Sequence, residues 1–363
     1  MNSVGHYAPS FRIMVQGRDL SHGVTADVLS VSVTETFNRA DSFSIVLRET
    51  YPEPGRLFAG GDEFKWMDSG LLDESNEVEI YLGYVDDLHL MLRGEISALN
   101  PNFPASGEPT LTVQGYSLYQ RLQHRRRREP FKSATDSGIV EEIAAAMNLK
   151  AVVDRTEAEH PLFSPQGDTL AHILTQRAQR LNYEVTVKDR TLYFQRPRYL
   201  DNPSPGITLE WGKDLISFSP RLSIHNAATE VTVRGPQTSQ GRGKDPLVGT
   251  ARAGDVRVKM GAETGQEIAK SKFGDHHVLV SDHNVANAQE ANEMALARLE
   301  DQALEFIGGR GSCIGNPKLS SRMVIELKGL GKRFTGNYYI TSTTHSIGSG
   351  GYRTDFEVKR NAR

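Results

Sequence analysis

The sequence concentrates metal-ligating side chains in one window, DHHVLVSDHN (275–284), which holds Asp275, His276, His277, Asp282 and His283. Imidazoles and carboxylates at this density can bind zinc or iron. A helix brings histidines together at H-x-x-x-H and a strand at H-x-H. Here they are adjacent or separated by VLV, so convergence on one ion does not follow from the spacing. Strand-end polarity and helix capping by Asp282 or Asn284 fit it better. A metal-dependent hydrolase built on 275–283 is therefore the weakest functional reading. Nucleophilic catalysis finds no support. There is no G-x-S-x-G, and Cys313 stands in a Gly-rich stretch without a nearby His. His345 falls in the last strands, where packing or hydrogen bonding accounts for it. Asp86-Asp87 and Glu141-Glu142 read as a turn and a solvated helix face. GGRG (308–311) follows a helix instead of opening one, unlike a phosphate loop. No catalytic residue, cofactor site or metal site is expected.

The remaining candidate is HRRRREP (124–130), with Arg125, Arg126, Arg127 and Arg128 in succession. Such runs can mark nucleic-acid contact. A dedicated nucleic-acid binder shows a basic domain, and this chain carries 42 Lys+Arg against 45 Asp+Glu, a formal net charge of −3. Residues 1–127, which contain most of the run, hold 11 basic against 17 acidic residues. The four arginines are thus expected to pair with carboxylates across a domain or subunit boundary. Nucleic-acid binding or regulation through Arg125–Arg128 is the alternative. The single cysteine rules out an internal disulfide. No window approaches the roughly 18 apolar residues of a membrane-spanning helix, and the first residues do not read as a secretory signal.

The elements that must position these residues are mostly strands. FRIMVQ (11–16), DVLSVSVTE (27–35), SFSIVLR (42–48), EVEIYLGY (77–84), LHLMLRGEISAL (88–99) and PTLTVQGYS (109–117) alternate with period two. This predicts an antiparallel barrel or sandwich over 1–127. After Pro130, Ser133 and Asp136 suggest a capping box, and Ile139, Val140, Ile143, Ala144 and Met147 follow at helical spacing. A second helix from about Asp168 carries Leu170, Ile173, Leu174, Ala178 and Leu181 on one face. YEVTV (183–187) and TLYFQ (191–195) form a hairpin, making 128–206 a small α/β module that ends in a Pro-rich hinge. Strands return over 207–363: DLISFS (214–219), TEVTVRG (229–235), HVLV (277–280), RMVIEL (322–327), NYYITSTTHSIG (337–348) and YRTDFEVK (352–359). Residues 236–275 lack periodicity and read as a long loop, and a helix is expected over 284–306. The overall expectation is mainly β, with two barrel domains and an α/β module between them. An echo links V-E-I-Y-L-G (78–83) and L-R-G-E-I-S (92–97) with M-V-I-E-L-K-G (323–329) and F-T-G-N-Y-Y-I (334–340), as in a duplication.

Three stretches resemble the late-control D family of contractile phage tails, which includes baseplate hubs and the N-terminal hub portion of VgrG spike proteins. They are VEIYLGYVDDLHLMLRGEISALNPNFPASGEPTLTVQGYSLYQRL (78–122), ATDSGIVEEIAAAMNL with QGDTLAHILTQRAQRLNYEVTVKDRTLYF, and GGRGSCIGNPKLSSRMVIELKGLGKRFTGNYYITSTTHSIGSGGYRTDFEVKR. No single motif is specific; the ordered set is. Ser320 and Ser321 stand where the family often has Gly. The resemblance implies a non-enzymatic homotrimer adapting a hexameric inner tube protein to a trimeric spike protein. The spike would be carried on a separate chain, and baseplate wedge proteins would be further partners. It implies neither membrane insertion nor specific nucleic-acid binding, and it implies assembly in the cytoplasm into a phage tail or injection particle.

Overall fold

Period-two alternation builds most of the molecule. The computed structural model describes residues 8–20, 26–49, 64–225, 227–235, 247–282 and 285–363. Its first β region contains β1 (Pro9–Val15), β2 (Arg18–Asp19), β3 (Val28–Thr36), β4 (Ser42–Arg48), β5 (Glu77–Tyr84), β6 (Asp87–Asn102) and β7 (Thr110–Ser117). One side of these strands, with Val31, Ile45, Ile80, Leu82, Ile96 and Val113 among others, buries a single apolar core.

The α/β region follows: α1 (Tyr119–His124), β8 (Phe131–Thr135), α2 (Asp136–Ala146), β9 (Lys150–Val153), β10 (Glu159–Phe163), α3 (Leu170–Leu181), β11 (Glu184–Lys188) and β12 (Thr191–Gln195). The expected stripes are buried: Ile139, Val140 and Ile143 on α2, and Leu170, Ile173, Leu174 and Ala178 on α3. The α2 cap is Thr135, whose hydroxyl accepts from Gly138 N–H, and not Ser133, which lies in β8 at φ 45°. The sequence shows no sign of β9, which adds in parallel to the β11–β12 hairpin, or of β10, which pairs with β8. Both are short and carry mostly exposed side chains.

The last region begins with β13 (Ile207–Glu210) and β14 (Leu215–Leu222). It continues through β15 (Glu230–Arg234), β16 (Val248–Arg252), α4 (Gly265–Phe273), β17 (His277–Ser281) and α5 (Ala288–Leu304). It closes with β18 (Ile307–Ile314), β19 (Val324–Lys328), β20 (Gly336–Gly348) and β21 (Gly351–Arg360). Here the structure corrects the expectation of a loop over 236–275. The described part, 247–275, holds β16 and α4; residues 236–246 lie outside the described residues. The signal is weak because the core side of β16 is Gly249 and Ala251, and α4 buries only Ile268 and Ala269 as apolar side chains larger than glycine. The expected helix over 284–306 starts later, at Ala288 behind its cap Asn287. Nor do β15 and β17 belong to the large sheet. They form a separate sheet, β16-β15-β17, whose core is covered by α5 and takes in Leu181 of α3.

The two β regions share one 13-stranded sheet, ordered β14-β18-β21-β20-β3-β4-β7-β6-β5-β1-β2, with β13 and β19 branching from β20. The first residues of β20 pair with β19; after a bulge between Ile340 and Ser342, Ser342–Ile347 pair with Thr36–Val31 of β3. A bulge lets one strand serve two neighbours by bending it. The sequence echo falls on two matching meanders, β5-β6-β7 and β19-β20-β21. In each β region an aromatic ring lies over a cross-strand glycine: Phe43 opposite Gly115, and Phe356 opposite Gly311. A Cβ at Gly311 would stand 2.4 Å from the Phe356 ring, and one at Gly115 2.5 Å from that of Phe43. That close approach requires glycine, so GGRG is the inside of a strand.

Candidate functional site

Cys313 and His345, for which no catalytic role is expected, are both buried. Cys313 is buried, and desolvation, aided by Asp214 and Asp355, pushes its thiol up to about 12. His345 is buried with Nδ1 3.0 Å from Tyr352 Oη and 3.1 Å from Thr354 Oγ1, and Nε2 3.0 Å from the Leu319 carbonyl. Burial lowers its pKa to about 4. It is therefore neutral, with Nε2–H donating to Leu319.

The 275–283 cluster is dispersed. Asp275 pairs with Lys270 at 3.3 Å, His277 with Glu230 at 3.3 Å, and Asp282 with Arg180 at 2.7 Å. His276 is held through its backbone N–H by Thr229 Oγ1. His283 lies outside the described residues. Asp275 and the His276 backbone share Thr229, but no three of the described members bring ligand atoms together.

The arginine run lies along the start of α3. Arg126 bridges to Thr169 in antiparallel fashion, the Arg125 carbonyl accepts from Leu170 N–H, and Arg127 N–H donates to the Asp168 carbonyl. Arg126 Nη1 donates to the Gly167 carbonyl at 2.9 Å. Arg127 pairs with Glu142 at 2.7 Å and stacks 3.8 Å from the Phe131 ring centre. Arg125, Arg126 and Arg128 are exposed. Within the chain, Arg126 and Arg127 contact the α/β region; it is Arg121, four residues upstream of Arg125, that reaches the first β region, through Glu95.

Buried polar junctions fasten the regions together, and no sequence pattern announces them. Between the first β region and the α/β region, Asn38 N–H donates to the Val185 carbonyl and Asn38 Oδ1 accepts from Val185 N–H. Nearby, Glu35 pairs with Lys188 of β11 and accepts from Ser321 N–H at 3.3 Å. Asp41, also buried, accepts from Thr36 N–H at 3.0 Å; desolvation and the neighbouring Glu35 raise its pKa to about 8. Between the α/β region and the last region, Arg322 Nε donates to Glu184 at 2.6 Å, and Tyr339 Oη donates to the same carboxylate at 2.7 Å. Glu184 and Arg322 are each 3% exposed. Burial raises the Glu184 pKa against the opposing pull of Arg322.

A third junction joins α3 to the unit capped by α5. Arg177 Nη1 lies 3.1 Å from Asp136 Oδ1, and Arg180 reaches Glu290 Oε1 at 2.8 Å as well as Asp282. His160 Nε2 sits between the two carboxylates, 3.4 Å from Asp136 Oδ1 and 3.7 Å from Glu290 Oε1. Asp136 Oδ1, His160 Nε2 and Arg177 Nη1 are all buried, and none makes a well-aligned hydrogen bond. Desolvation lowers the Arg177 pKa. The one trace of this site in the sequence is that Arg177 interrupts the apolar stripe of α3.

The outward face of the large sheet is continuous and polar. One cross-strand row runs Ser217, Ser312, Asp355, Thr344, Thr34, Ser42, Tyr116 and Glu95 over eight neighbouring strands, with Ser312 itself buried. Thr34 and Thr344 share a 2.9 Å hydrogen bond where the two β regions meet. At the β14 edge the surface turns apolar, with Trp211 62% and Ile216 and Ile314 each 48% exposed.

The family model of the Alg8 N-terminal domain matches residues 6–349. No curated protein matches the sequence. Among solved structures, the chain is similar to the 43 kDa tail protein of prophage MuSo2 from Shewanella oneidensis, at TM-score 0.67 and 11% identity over 98% of this chain and 99% of that one. It is also similar to a tail protein from Neisseria meningitidis MC58, at TM-score 0.69 and 14% identity over 98% and 97%. A third is an E. coli type VI secretion system component described as structurally similar to T4 bacteriophage tail proteins, at TM-score 0.59 and 10% identity over 96% and 76%. At these identities the likeness is one of fold: mainly antiparallel β with an α/β module, as in phage tail proteins.

Proposed function

This chain belongs to the Alg8 N-terminal domain family, and from its tail-protein fold we propose that it is a structural, non-enzymatic component of a contractile tail or injection system, acting as a trimeric hub. In this role three copies join a hexameric inner tube to a trimeric spike, with wedge proteins around them. The observation that carries the reading is the fusion of two similar β regions into one sheet with a continuous polar face. Two like regions per chain give six around a trimer, which matches sixfold and threefold partners at once. In this assembly the Ser/Thr-rich face lines the passage, since hydroxyl-bearing side chains stay hydrated and offer moving cargo no apolar hold. Arg125 and Arg128, exposed beside the α/β region, are assigned to contacts between copies, and the apolar β14 edge to the same interface. The units 1–127, 128–206 and 207–363 would serve as the first barrel, a brace and the second barrel. The particle would assemble in the cytoplasm.

The test is native mass measurement of the purified chain, alone and with its spike and tube proteins. A trimer of about 120 kDa, three times 40.2 kDa, that binds the spike one trimer to one trimer is expected. A monomer that persists at micromolar concentration with spike present overturns the reading. Binding to DNA that falls steeply with salt would favour a nucleic-acid role for Arg125–Arg128 instead.

A further inference from the structure

We propose that Asp136 Oδ1, His160 Nε2 and Glu290 Oε1 form a site for one divalent cation of the zinc class, which staples the α5-capped unit to the α/β region. The three residues come from separate elements: the first turn of α2, strand β10 and the first turn of α5. Each is at least nine-tenths buried, and the three ligand atoms lie within 4.8 Å of one another. Zinc–nitrogen and zinc–oxygen bonds of about 2.0–2.2 Å at tetrahedral angles place ligand atoms roughly 3.3–3.5 Å apart. The two separations from His160 Nε2 are 3.4 and 3.7 Å, close to that edge length.

Three further observations point to a cation. His160 Nε2 is buried with no hydrogen-bond partner and faces two carboxylate oxygens, where an uncharged ring nitrogen gains little. The charges around it are Asp136, Glu290 and Asp282 against Arg177 and Arg180, so one negative charge remains when the imidazole is neutral, the form that binds a metal. The Glu290 carboxylate is also oriented from behind, as ligating carboxylates commonly are. Glu290 Oε2 accepts from Ala286 N–H at 2.6 Å, while Arg180 and Arg177 lie against the ligand oxygens themselves, Glu290 Oε1 and Asp136 Oδ1. The two guanidiniums weaken affinity relative to an all-anionic site, so the proposal is of a structural ion and not a reactive one. Three protein ligands leave the fourth position to a water.

The test uses the full chain, dialysed free of metal and titrated with Zn2+ alone, then with Co2+ as a spectroscopic probe. Expected are one zinc per chain by elemental analysis, a tetrahedral Co2+ absorption band, and slowed hydrogen exchange at the first turns of both α2 and α5 when zinc binds. His160→Gln should weaken zinc binding more than about 100-fold, beyond what loss of an outer partner typically costs. The double variant His276→Ala/His277→Ala should bind as the parent does. Failure to bind zinc at micromolar concentration overturns the proposal, as does a His160→Gln variant with unchanged affinity. Should His160→Gln not fold, zinc binding to the parent without slowed exchange in both helices overturns it equally.

Discussion

Replacing Asp41 by asparagine should make the protein more stable, and increasingly so as pH rises. Asp41 is 7% exposed, lies beside the buried Glu35 carboxylate, and accepts from Thr36 N–H. Its carboxyl stands at about 8 in the folded chain against 3.8 for the free side chain. Between these values the folded state holds a proton that the unfolded state has released. Stability therefore falls as pH rises through this window and levels off above about pH 8. One pKa unit corresponds to about 1.4 kcal/mol, so moving from pH 5 to pH 8 costs the parent on the order of 4 kcal/mol at this one site. The amide of the Asp41→Asn variant keeps the Oδ1 acceptor for Thr36 and has no proton to lose. The assay is thermal unfolding of parent and variant from pH 5 to pH 8. At about 2–4 °C per kcal/mol for a cooperative unit of this size, the gap in melting temperature should widen by roughly 10 °C across that range in favour of Asp41→Asn. Melting temperatures that run parallel between pH 5 and pH 8 would refute the reasoning, because they would mean that Asp41 is ionised in the folded chain.

Arg322→Met should destabilise by about 3–5 kcal/mol, since it leaves Glu184 buried without its cation, while Glu184→Gln/Arg322→Met should recover most of that loss; chemical denaturation of the two variants decides it. Gly311→Ala should cost about 1–3 kcal/mol by forcing the Phe356 ring aside, whereas Gly254→Ala, with open space around its Cβ, should melt within about 1–2 °C of the parent. Tyr352→Phe removes the hydroxyl bonded to His345 Nδ1 and should cost roughly 1 kcal/mol, with Thr354 remaining as that nitrogen's partner, as measured by equilibrium unfolding.

Where one side of a strand is apolar and the other polar, the sequence shows it plainly. SFSIVLR and EVEIYLGY match β4 and β5 residue for residue, because their inward side chains are large and alternate without interruption. The α2 and α3 stripes are legible for the same reason. Strand β18 is not, since Gly309 and Gly311 turn inward and the apolar mass that fills the space belongs to Phe218 and Phe356 on other strands. The burial signal of that strand is written elsewhere in the chain. The junctions are less legible still. Asp136 and Glu290 are 154 positions apart, and Glu184 and Arg322 are 138 apart; nothing local distinguishes these charged residues from solvated ones. The HRRRREP run is conspicuous through composition alone, while Arg121, which reaches Glu95, stands outside it.

The pattern of what is apolar and what is polar bears on how the regions hold together. Each region holds an apolar core, and the cores overlap: Ile347 and Tyr352 of the last region pack into that of the first, and Leu181 of α3 into that covered by α5. Besides these apolar contacts, the regions meet through paired charges and two-point hydrogen bonds: Asn38 with Val185, Glu35 with Lys188, Glu184 with Arg322 and Tyr339. An apolar contact tolerates sliding, because dispersion and desolvation depend weakly on register. A bidentate backbone pair or a buried ion pair does not, because a shift of about an ångström leaves a buried group unsatisfied. Such junctions add little net stability and resist relative displacement strongly. At the seam between β3 and β20 the same logic holds, with Thr34 bonded to Thr344 and His345, Thr343 and Thr354 buried beneath the sheet. Directional bonds thus add to the shared apolar core in fixing the relative placement of the two β regions.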